Sequence, residues 1–198
     1  MKKDVWNSRI DLSEAQVLCA DDSASGLDIL SQILMGFGVQ QIGRAQNAEA
    51  FRQQVNAQAY DLFLVDSSLS GNGFAEISWL RHSAQEPNRY APVLALAGHT
   101  PLSQVKMARD CGANFIVRKP LSASVMLDRI LWMGRAGRHF VEAGVYMGPD
   151  RRFRYEGVPD GHPGRRQTDL SAEVGDAVDP NMSQAEIDSL LQPQKVSS

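Results

Sequence analysis

The sequence predicts an α/β fold in which helices cover both faces of a five-stranded parallel sheet. Two observations lead to this prediction. Short apolar runs alternate five times with amphipathic stretches over about 120 residues. The runs are continuously apolar, as in strands buried on both faces, and do not alternate between apolar and polar residues. Because crossovers between parallel strands are right-handed, these five units predict a doubly wound sheet.

The apolar runs set the predicted strands. The run DLFLV, at residues 61–65, is the clearest, and the run at residues 40–45 is short and weak. Each run is too short for a helix and is bounded by polar or turn-forming residues. The five predicted strands cover residues 15–20, 40–45, 61–65, 92–96 and 114–117.

Between the strands, apolar residues recur every three or four positions, which indicates amphipathic helices. The first helical stretch starts at Leu27 and stops at Gly36 and Gly38, since glycine ends helices. In the third, Phe74, Ile77, Leu80 and Arg81 share one face. The five predicted helices cover residues 27–37, 48–59, 74–82, 102–111 and 123–134.

Composition indicates an ordinary globular protein. The 198 residues suffice for one domain with extensions. A net charge of −3 provides no whole-chain argument for binding DNA or membranes. No stretch reaches the length of a membrane span, and the N-terminus does not resemble a signal peptide. Cys19 and Cys111 are expected to be small buried thiols. We therefore expect a cytoplasmic protein.

Ionisable residues follow three of the predicted strands. Asp21 and Asp22 end the first strand, Asp66 ends the third, and Lys119 follows the fifth. The carboxyl ends of parallel strands meet at one edge, where ligands bind in such sheets. Carboxylates this close favour a cation, and their oxygens suit Mg²⁺. A carboxylate beside Mg²⁺ and a lysine can accept a phosphoryl group. Alternatively, each aspartate only caps a strand end.

Residues 15–135 resemble the receiver domain of two-component signalling, of the chemotaxis-regulator type. The resemblance is carried by the acidic pair Asp21-Asp22, by Asp66 and by Lys119-Pro120. The spacings of 44 residues from Asp22 to Asp66 and 53 from Asp66 to Lys119 are typical of that family. The resemblance implies a flavodoxin-like sheet of strand order 2-1-3-4-5.

The resemblance also implies roles for these residues. Asp66 is the expected phospho-acceptor, and Lys119 is expected to contact the phosphoryl group. Asp21 and Asp22 are expected to hold Mg²⁺ together with Asp66 and the backbone carbonyl of Ser68. The Lys119-Pro120 peptide bond is expected to be cis. A histidine kinase or a phosphotransfer protein is the implied partner.

The sequence departs from the family pattern at three positions. Ala97 stands where a Ser or Thr hydroxyl usually binds the phosphoryl group, with Thr100 nearby. Ile116 stands at the switch position, which is often aromatic, and Ser70 replaces a proline. Phosphorylation chemistry survives these changes, whereas the usual relay from the hydroxyl to the aromatic ring does not. A receiver that works with weak or no dependence on phosphorylation is therefore an alternative.

Past residue 135 the chain becomes rich in glycine, proline and arginine, and residues 136–181 are predicted to be a linker without a second core. Arginine forks bind phosphates. The segment resembles arginine-rich extensions of chemotaxis-like receivers that bind cyclic di-GMP. The alternative is a solvated basic linker. The candidate nucleotide-binding residues are Arg151, Arg152, Arg154, Arg165 and Arg166.

Residues 182–191 are predicted to form a short amphipathic helix. Ser183 and Glu186 match a capping box, and Ile187, Leu190 and Leu191 form one apolar stripe. A helix this short needs a groove to bury its stripe. The stretch resembles the N-terminal peptide of the flagellar motor switch protein. It is expected to dock on its own receiver or a neighbour's, or to compete for other receivers. The alternative is a frayed tail helix.

The predicted organisation is an N-terminal extension at 1–14, a receiver at 15–135, a linker at 136–181, a helix at 182–191 and a tail at 192–198. The favoured function is a non-enzymatic response regulator without a DNA-binding output, which signals by protein contact in chemotaxis or motor control. The alternative is a cyclic di-GMP-binding adaptor. A related hydrolase is less favoured, because Ser68 stands where those enzymes carry a second acid.

Overall fold

A computed structural model describes residues 12–135, 139–144, 146–150 and 183–191 of the chain. Five parallel strands form one sheet in the order β2-β1-β3-β4-β5. This confirms the predicted doubly wound architecture and strand order. The strands are β1 Gln16–Ala20, β2 Gln41–Ala45, β3 Leu62–Asp66, β4 Val93–Ala97 and β5 Phe115–Arg118.

Five helices follow the strands in turn. Side chains cap the first three: Ser23, Asn47 and Asn72 each accept a hydrogen bond from an amide in the first turn of their helix. The helices are α1 Ala24–Gly36, α2 Ala48–Ala57, α3 Gly73–Ser83, α4 Leu102–Asp110 and α5 Ala123–Arg135.

The core lies in two layers, one on each face of the sheet. In β3, Leu62 and Leu64 pack in the layer beneath α1 and α5, while Phe63 and Val65 pack in the layer beneath α2, α3 and α4. Successive side chains of a strand point to opposite faces, so a strand buried on both sides has no polar position. This explains the continuously apolar runs.

Both cysteines are buried and unpaired, as expected. Burial raises the pKa of Cys19 and of Cys111 to about 12, because the low-polarity interior disfavours the thiolate. Both thiols are therefore protonated at neutral pH and pack as small apolar side chains.

The predicted linker at 136–181 is wrong for residues 140–143 and 146–149. These residues form an antiparallel hairpin of β6 Phe140–Ala143 and β7 Tyr146–Pro149. The hairpin packs on the receiver through Met147, which is 2% exposed, and through Phe140, whose ring meets that of Tyr90 edge-on with 4.9 Å between ring centroids. Sequence patterning missed it because each strand has only four residues.

Arg81 in α3 organises the surface beneath this hairpin. Its guanidinium is fully buried and donates to the backbone carbonyls of Gly112, Arg89 and Ala91 at 3.0, 2.8 and 2.7 Å. It also lies over the ring of Phe140. Burial lowers the pKa of Arg81 to about 10, which still leaves it charged at neutral pH. The charge is balanced by carbonyl dipoles that converge from three segments.

A sixth helix, α6 Gln184–Leu191, confirms the predicted C-terminal helix and lies against β5 and α4. Across the described ranges, no helix combines the length and hydropathy needed to cross a bilayer. The predicted nucleotide-binding arginines Arg151, Arg152, Arg154, Arg165 and Arg166 lie outside the described residues, as do residues 1–11 and the predicted tail at 192–198.

Candidate functional site

The carboxyl ends of β1, β3 and β5 bring three predicted site residues together. The ammonium nitrogen of Lys119 lies 2.8 Å from Asp21 Oδ2 and also forms an ion pair with Asp66 Oδ2. Asp21 and Asp66 are each only 4% exposed. The backbone amide of Lys119 donates to the carbonyl of Ala97, which fixes the start of the β5–α5 loop. The predicted convergence of Asp21, Asp66 and Lys119 is therefore confirmed.

Lys119 compensates the two buried carboxylates. Partial burial by itself lowers the pKa of a lysine, but hydrogen bonds and attraction to Asp21 and Asp66 outweigh burial and raise the pKa of Lys119 above its ordinary value. Lys119 is therefore charged at neutral pH. Its ammonium holds one oxygen of each carboxylate and leaves the site with one net negative charge from these three groups.

Local hydrogen bonds orient each carboxylate. Asp21 Oδ1 accepts from the amide of Ser23 at 2.8 Å, the residue that caps α1. Asp66 Oδ1 accepts from the amide of Ser68 at 2.7 Å and from the Ser68 hydroxyl. Gly73 lets the β3–α3 loop turn tightly, because a Cβ there would overlap the Asp66 carbonyl. The Asp66 carboxylate is thus held from both sides, by Lys119 and by Ser68.

Asp22 is placed differently from Asp21. Its side chain is exposed, and both of its oxygens accept from the backbone amide of Ser70, at 3.0 and 2.9 Å. Among the residues that the structure describes, no three acidic, histidine or cysteine side chains stand close enough to hold a metal as they are. The predicted ligand set of Asp21, Asp22, Asp66 and the Ser68 carbonyl is therefore only partly assembled.

The site nonetheless has the chemistry that Mg²⁺ requires. Mg²⁺ is held in proteins by one or two carboxylates and otherwise keeps water and phosphate oxygens. Asp21 and Asp66 provide two adjacent carboxylates, and among the described residues Lys119 is the cation that pairs with them. The Ser68 carbonyl accepts from the Gly71 amide at 2.7 Å, and a carbonyl oxygen has a second lone pair to offer.

The peptide bond between Lys119 and Pro120 is cis, as the resemblance implied. At the predicted switch positions, Ala97 and Ile116 are both fully buried in the layer beneath α4. Thr100 is also fully buried. Both predicted switch positions therefore carry buried apolar side chains.

The tail helix α6 covers the outer edge of β5. The Gln184 side-chain amide donates to the Ile116 carbonyl at 2.9 Å and accepts from the Arg118 amide at 2.8 Å. The side-chain amide group of Gln184 thus pairs with the edge strand as the backbone of a neighbouring strand would. Ile187 is fully buried in the same core layer as Ile116. Of the docking modes that the sequence left open, the structure shows α6 on the chain's own receiver.

The predicted capping box of α6 is confirmed. The Ser183 amide donates to Glu186 Oε2 at 2.7 Å, and the Glu186 amide donates to Ser183 Oγ at 3.4 Å. The hydrogen bonds from Ser183 lower the pKa of Glu186. Sequence analysis did not predict Gln184 as a contact residue or Ser70 as the partner of Asp22. No local pattern signals either, because both bonds join residues far apart in the chain.

Gly26 in the first turn of α1 makes room for Asp21. In a Gly26→Ala variant the added carbon would lie 2.5 Å from Asp21 Oδ2, so we expect the carboxylate to move away from Lys119. Gly36, in the last turn of the same helix, has nothing within 4 Å of an added Cβ and provides the matched control.

Urea denaturation should give Gly26→Ala a free energy of unfolding about 2 kcal/mol below that of Gly36→Ala. Equal unfolding free energies for the two variants would show that the Asp21 position tolerates the methyl group, contrary to this expectation.

Comparison with known proteins agrees with this geometry. The family model of the response regulator receiver domain matches residues 17–131. The sensory/regulatory protein RpfC of Xanthomonas campestris pv. campestris is 26% identical over 116 residues, which is 58% of this chain but only 16% of that protein. The chain therefore spans a small part of the length of this curated relative.

Solved structures share the fold. The chemotaxis protein CheY4 of Vibrio cholerae superposes with a TM-score of 0.54 at 22% identity, covering 59% of this chain and 96% of that one. A CheY-like receiver domain protein from Methanospirillum hungatei gives a TM-score of 0.53 at 21% identity, with 60% and 92% covered. Together with the family match over more than half of its length, these findings establish that the chain belongs to the response regulator receiver family.

Proposed function

We propose that this receiver accepts a phosphoryl group on Asp66 and passes the signal on by protein contact. The observation that carries the proposal is the position of Asp66, which is buried at the end of β3 with one oxygen against Lys119 and the other against Ser68. Asp21 lies on the other side of Lys119. This arrangement places a carboxylate nucleophile next to a charge that can neutralise an incoming phosphoryl group.

The proposed reaction transfers a phosphoryl group from phosphohistidine. An oxygen of Asp66 forms the new P–O bond, the P–N bond of the donor breaks, and the imidazole keeps the electron pair and takes up a proton. Mg²⁺, when bound near Asp21 and Asp66, would offset the negative charge of the phosphoryl oxygens. Lys119 would turn its ammonium group toward those oxygens. A histidine kinase or phosphotransfer protein is the proposed donor.

The contact between α6 and the edge of β5 supports α6 as the element that responds to phosphorylation of Asp66. Gln184 binds the backbone of Ile116 and Arg118, and Arg118 is bonded directly to Lys119 in the chain. Any shift of Lys119 toward a phosphoryl group acts on the same strand that anchors α6. We therefore propose that phosphorylation weakens the docking of α6 and frees the α4–β5 face.

The resemblance of residues 182–191 to the motor-switch peptide suggests what uses the freed elements. The released helix, the uncovered face, or both would contact the flagellar motor switch or another receiver. A role in chemotaxis or motor control is the proposed setting. A signalling protein, not a hydrolase, remains the favoured class, because Ser68 stands where the related hydrolases carry a second acid.

Incubation with acetyl phosphate and Mg²⁺ should add one acid-labile phosphoryl group per chain, measured by intact-protein mass spectrometry. Asp66→Asn should abolish labelling, because the amide is not a nucleophile for this reaction. Asp28→Asn, at an exposed aspartate of α1 that pairs with Arg44, provides the control and should label like wild type. A wild-type chain that stays unlabelled would contradict the proposal.

The docking of α6 can be followed by amide hydrogen exchange. Ile187→Asp places a charge at a fully buried position and should speed exchange of the α6 amides by at least about thirtyfold, since an isolated helix of this length is marginal. Ala185→Asp adds the same charge on the exposed side of α6 and should leave exchange unchanged.

Phosphorylation of Asp66 should speed the amide exchange of α6, as Ile187→Asp does. Treating the wild-type chain with acetyl phosphate and Mg²⁺ should speed exchange of the α6 amides by about tenfold, a typical coupling between two sites. Asp66→Asn should not respond. If α6 exchanges equally fast in the labelled and unlabelled wild-type protein, the proposed link between Asp66 and α6 is wrong.

A second candidate function is a cyclic di-GMP-binding adaptor. Two buried apolar residues, Ala97 and Ile116, at the switch positions favour an input other than phosphate. The hairpin ends at Pro149, so the arginine segment starts next to a docked element. Calorimetry with cyclic di-GMP should then show binding that Arg151→Ala plus Arg152→Ala reduces at least about tenfold. No binding, or binding unaffected by both substitutions, would eliminate this candidate.

A further inference from the structure

Asp21 and Asp66 pair with Lys119, whereas the third acidic residue of the site, Asp22, is bound by a backbone amide. The Ser70 N–H points between its two carboxylate oxygens, at 3.0 and 2.9 Å. A hydrogen bond to a charged acceptor is stronger than one between neutral groups. Asp22 is exposed, and within the described part of the chain this bond is the contact that sets its direction.

Ser70 is itself fixed by a second hydrogen bond. Its hydroxyl oxygen accepts from the amide of Ala48 at 2.9 Å, in the first turn of α2. The first amides of a helix have no partner within the helix, and Asn47 satisfies the Ala50 amide in the same turn. Ser70 therefore joins the β3–α3 loop to α2 while its own amide faces Asp22.

The backbone of Ser70 is strained. Within the described ranges it is the single non-glycine residue with a positive φ, at φ 48° and ψ 34°. Strained backbone persists where surrounding bonds hold it, and it is often found at functional sites. A proline, the residue usual here in the receivers that the chain resembles, has no N–H to offer Asp22 and cannot adopt a positive φ.

These contacts explain why the acids do not yet form a metal site. Both Asp22 oxygens face the Ser70 amide, and no group of three metal-binding side chains stands together in the part of the chain that the structure describes. The Ser70 amide leaves lone pairs free on the Asp22 carboxylate but fixes its direction, so Asp22 has to turn, at least in part, before its oxygens can join those of Asp21 and Asp66.

We propose that Ser70 is a positioning residue that holds Asp22 in a metal-free orientation and thereby competes with Mg²⁺ for it. The inference rests on the proposed role of Asp22 in Mg²⁺ binding. Loosening Ser70 should therefore tighten Mg²⁺ binding. A residue that only supported the structure of the site would weaken binding when it was replaced.

Titration of the full-length chain with MgCl₂ by isothermal calorimetry tests the proposal. Ser70→Ala removes the hydroxyl bond to Ala48 and frees the loop, so the Kd for Mg²⁺ should fall by about fivefold, the size of one lost hydrogen bond. Ser70→Asn retains a side-chain acceptor in a residue that tolerates positive φ, and its Kd should stay close to that of wild type.

Asn47→Ala is the structural control, because it removes the other cap of α2 without touching the loop. It should lower Tm by about 4 °C and leave the Kd for Mg²⁺ unchanged.

If Asp22→Asn weakens Mg²⁺ binding but the Kd of Ser70→Ala equals or exceeds that of wild type, the proposed role of Ser70 is wrong while the metal role of Asp22 stands. A chain that binds no Mg²⁺, or whose Kd is insensitive to Asp22→Asn, would overturn this inference together with the proposed metal role.

Discussion

The ion pairs of Lys119 are the interaction on which the site depends. A parallel sheet brings the ends of β1 and β3 side by side, and the two carboxylates placed there are almost fully buried. Two buried like charges would repel and would lose their hydration. Lys119 reaches both from the end of the edge strand β5, across the end of β4, and neutralises one of the two charges. The strand order 2-1-3-4-5 is what makes this bridge possible, because it places β1 and β3 at the centre of the sheet.

Strand β5 connects this site to the surface. Lys119 follows β5 directly, and the outer edge of the strand offers a carbonyl and an amide to Gln184. An open strand edge is a binding surface that proteins usually cover. Here a segment more than 60 residues further along the chain covers it. The residue after β5 pairs with Asp66, and the backbone of β5 itself binds α6 through Gln184.

At the opposite end of the sheet, the buried Arg81 and the β6–β7 hairpin cover the amino ends of the strands. Arg81 is buried and is held by backbone carbonyls of the segments around the start of β4 and β5, with no carboxylate among its acceptors in the described part of the chain. The hairpin β6–β7 packs over it through Phe140 and Met147. Two of the described segments beyond the receiver, the hairpin and α6, therefore contact it. The hairpin lies near the amino ends of the strands, and α6 lies along the edge of β5.

The sequence by itself determined the five βα units, the grouping of Asp21, Asp66 and Lys119, and the capping box of α6. Each depends on local periodicity or on the rule that parallel strand ends meet at one edge. Only the tertiary structure decided that residues 140–149 form a hairpin, that Gln184 pairs with β5, that Arg81 is buried, and that Ser70 holds Asp22. Three of these features depend on polar groups that meet distant parts of the chain, and the hairpin consists of strands of only four residues, too short for a clear hydrophobic pattern. Hydrophobic patterning reports which face of an element is buried, but it carries no information about which distant carbonyl, amide or carboxylate a polar group will meet.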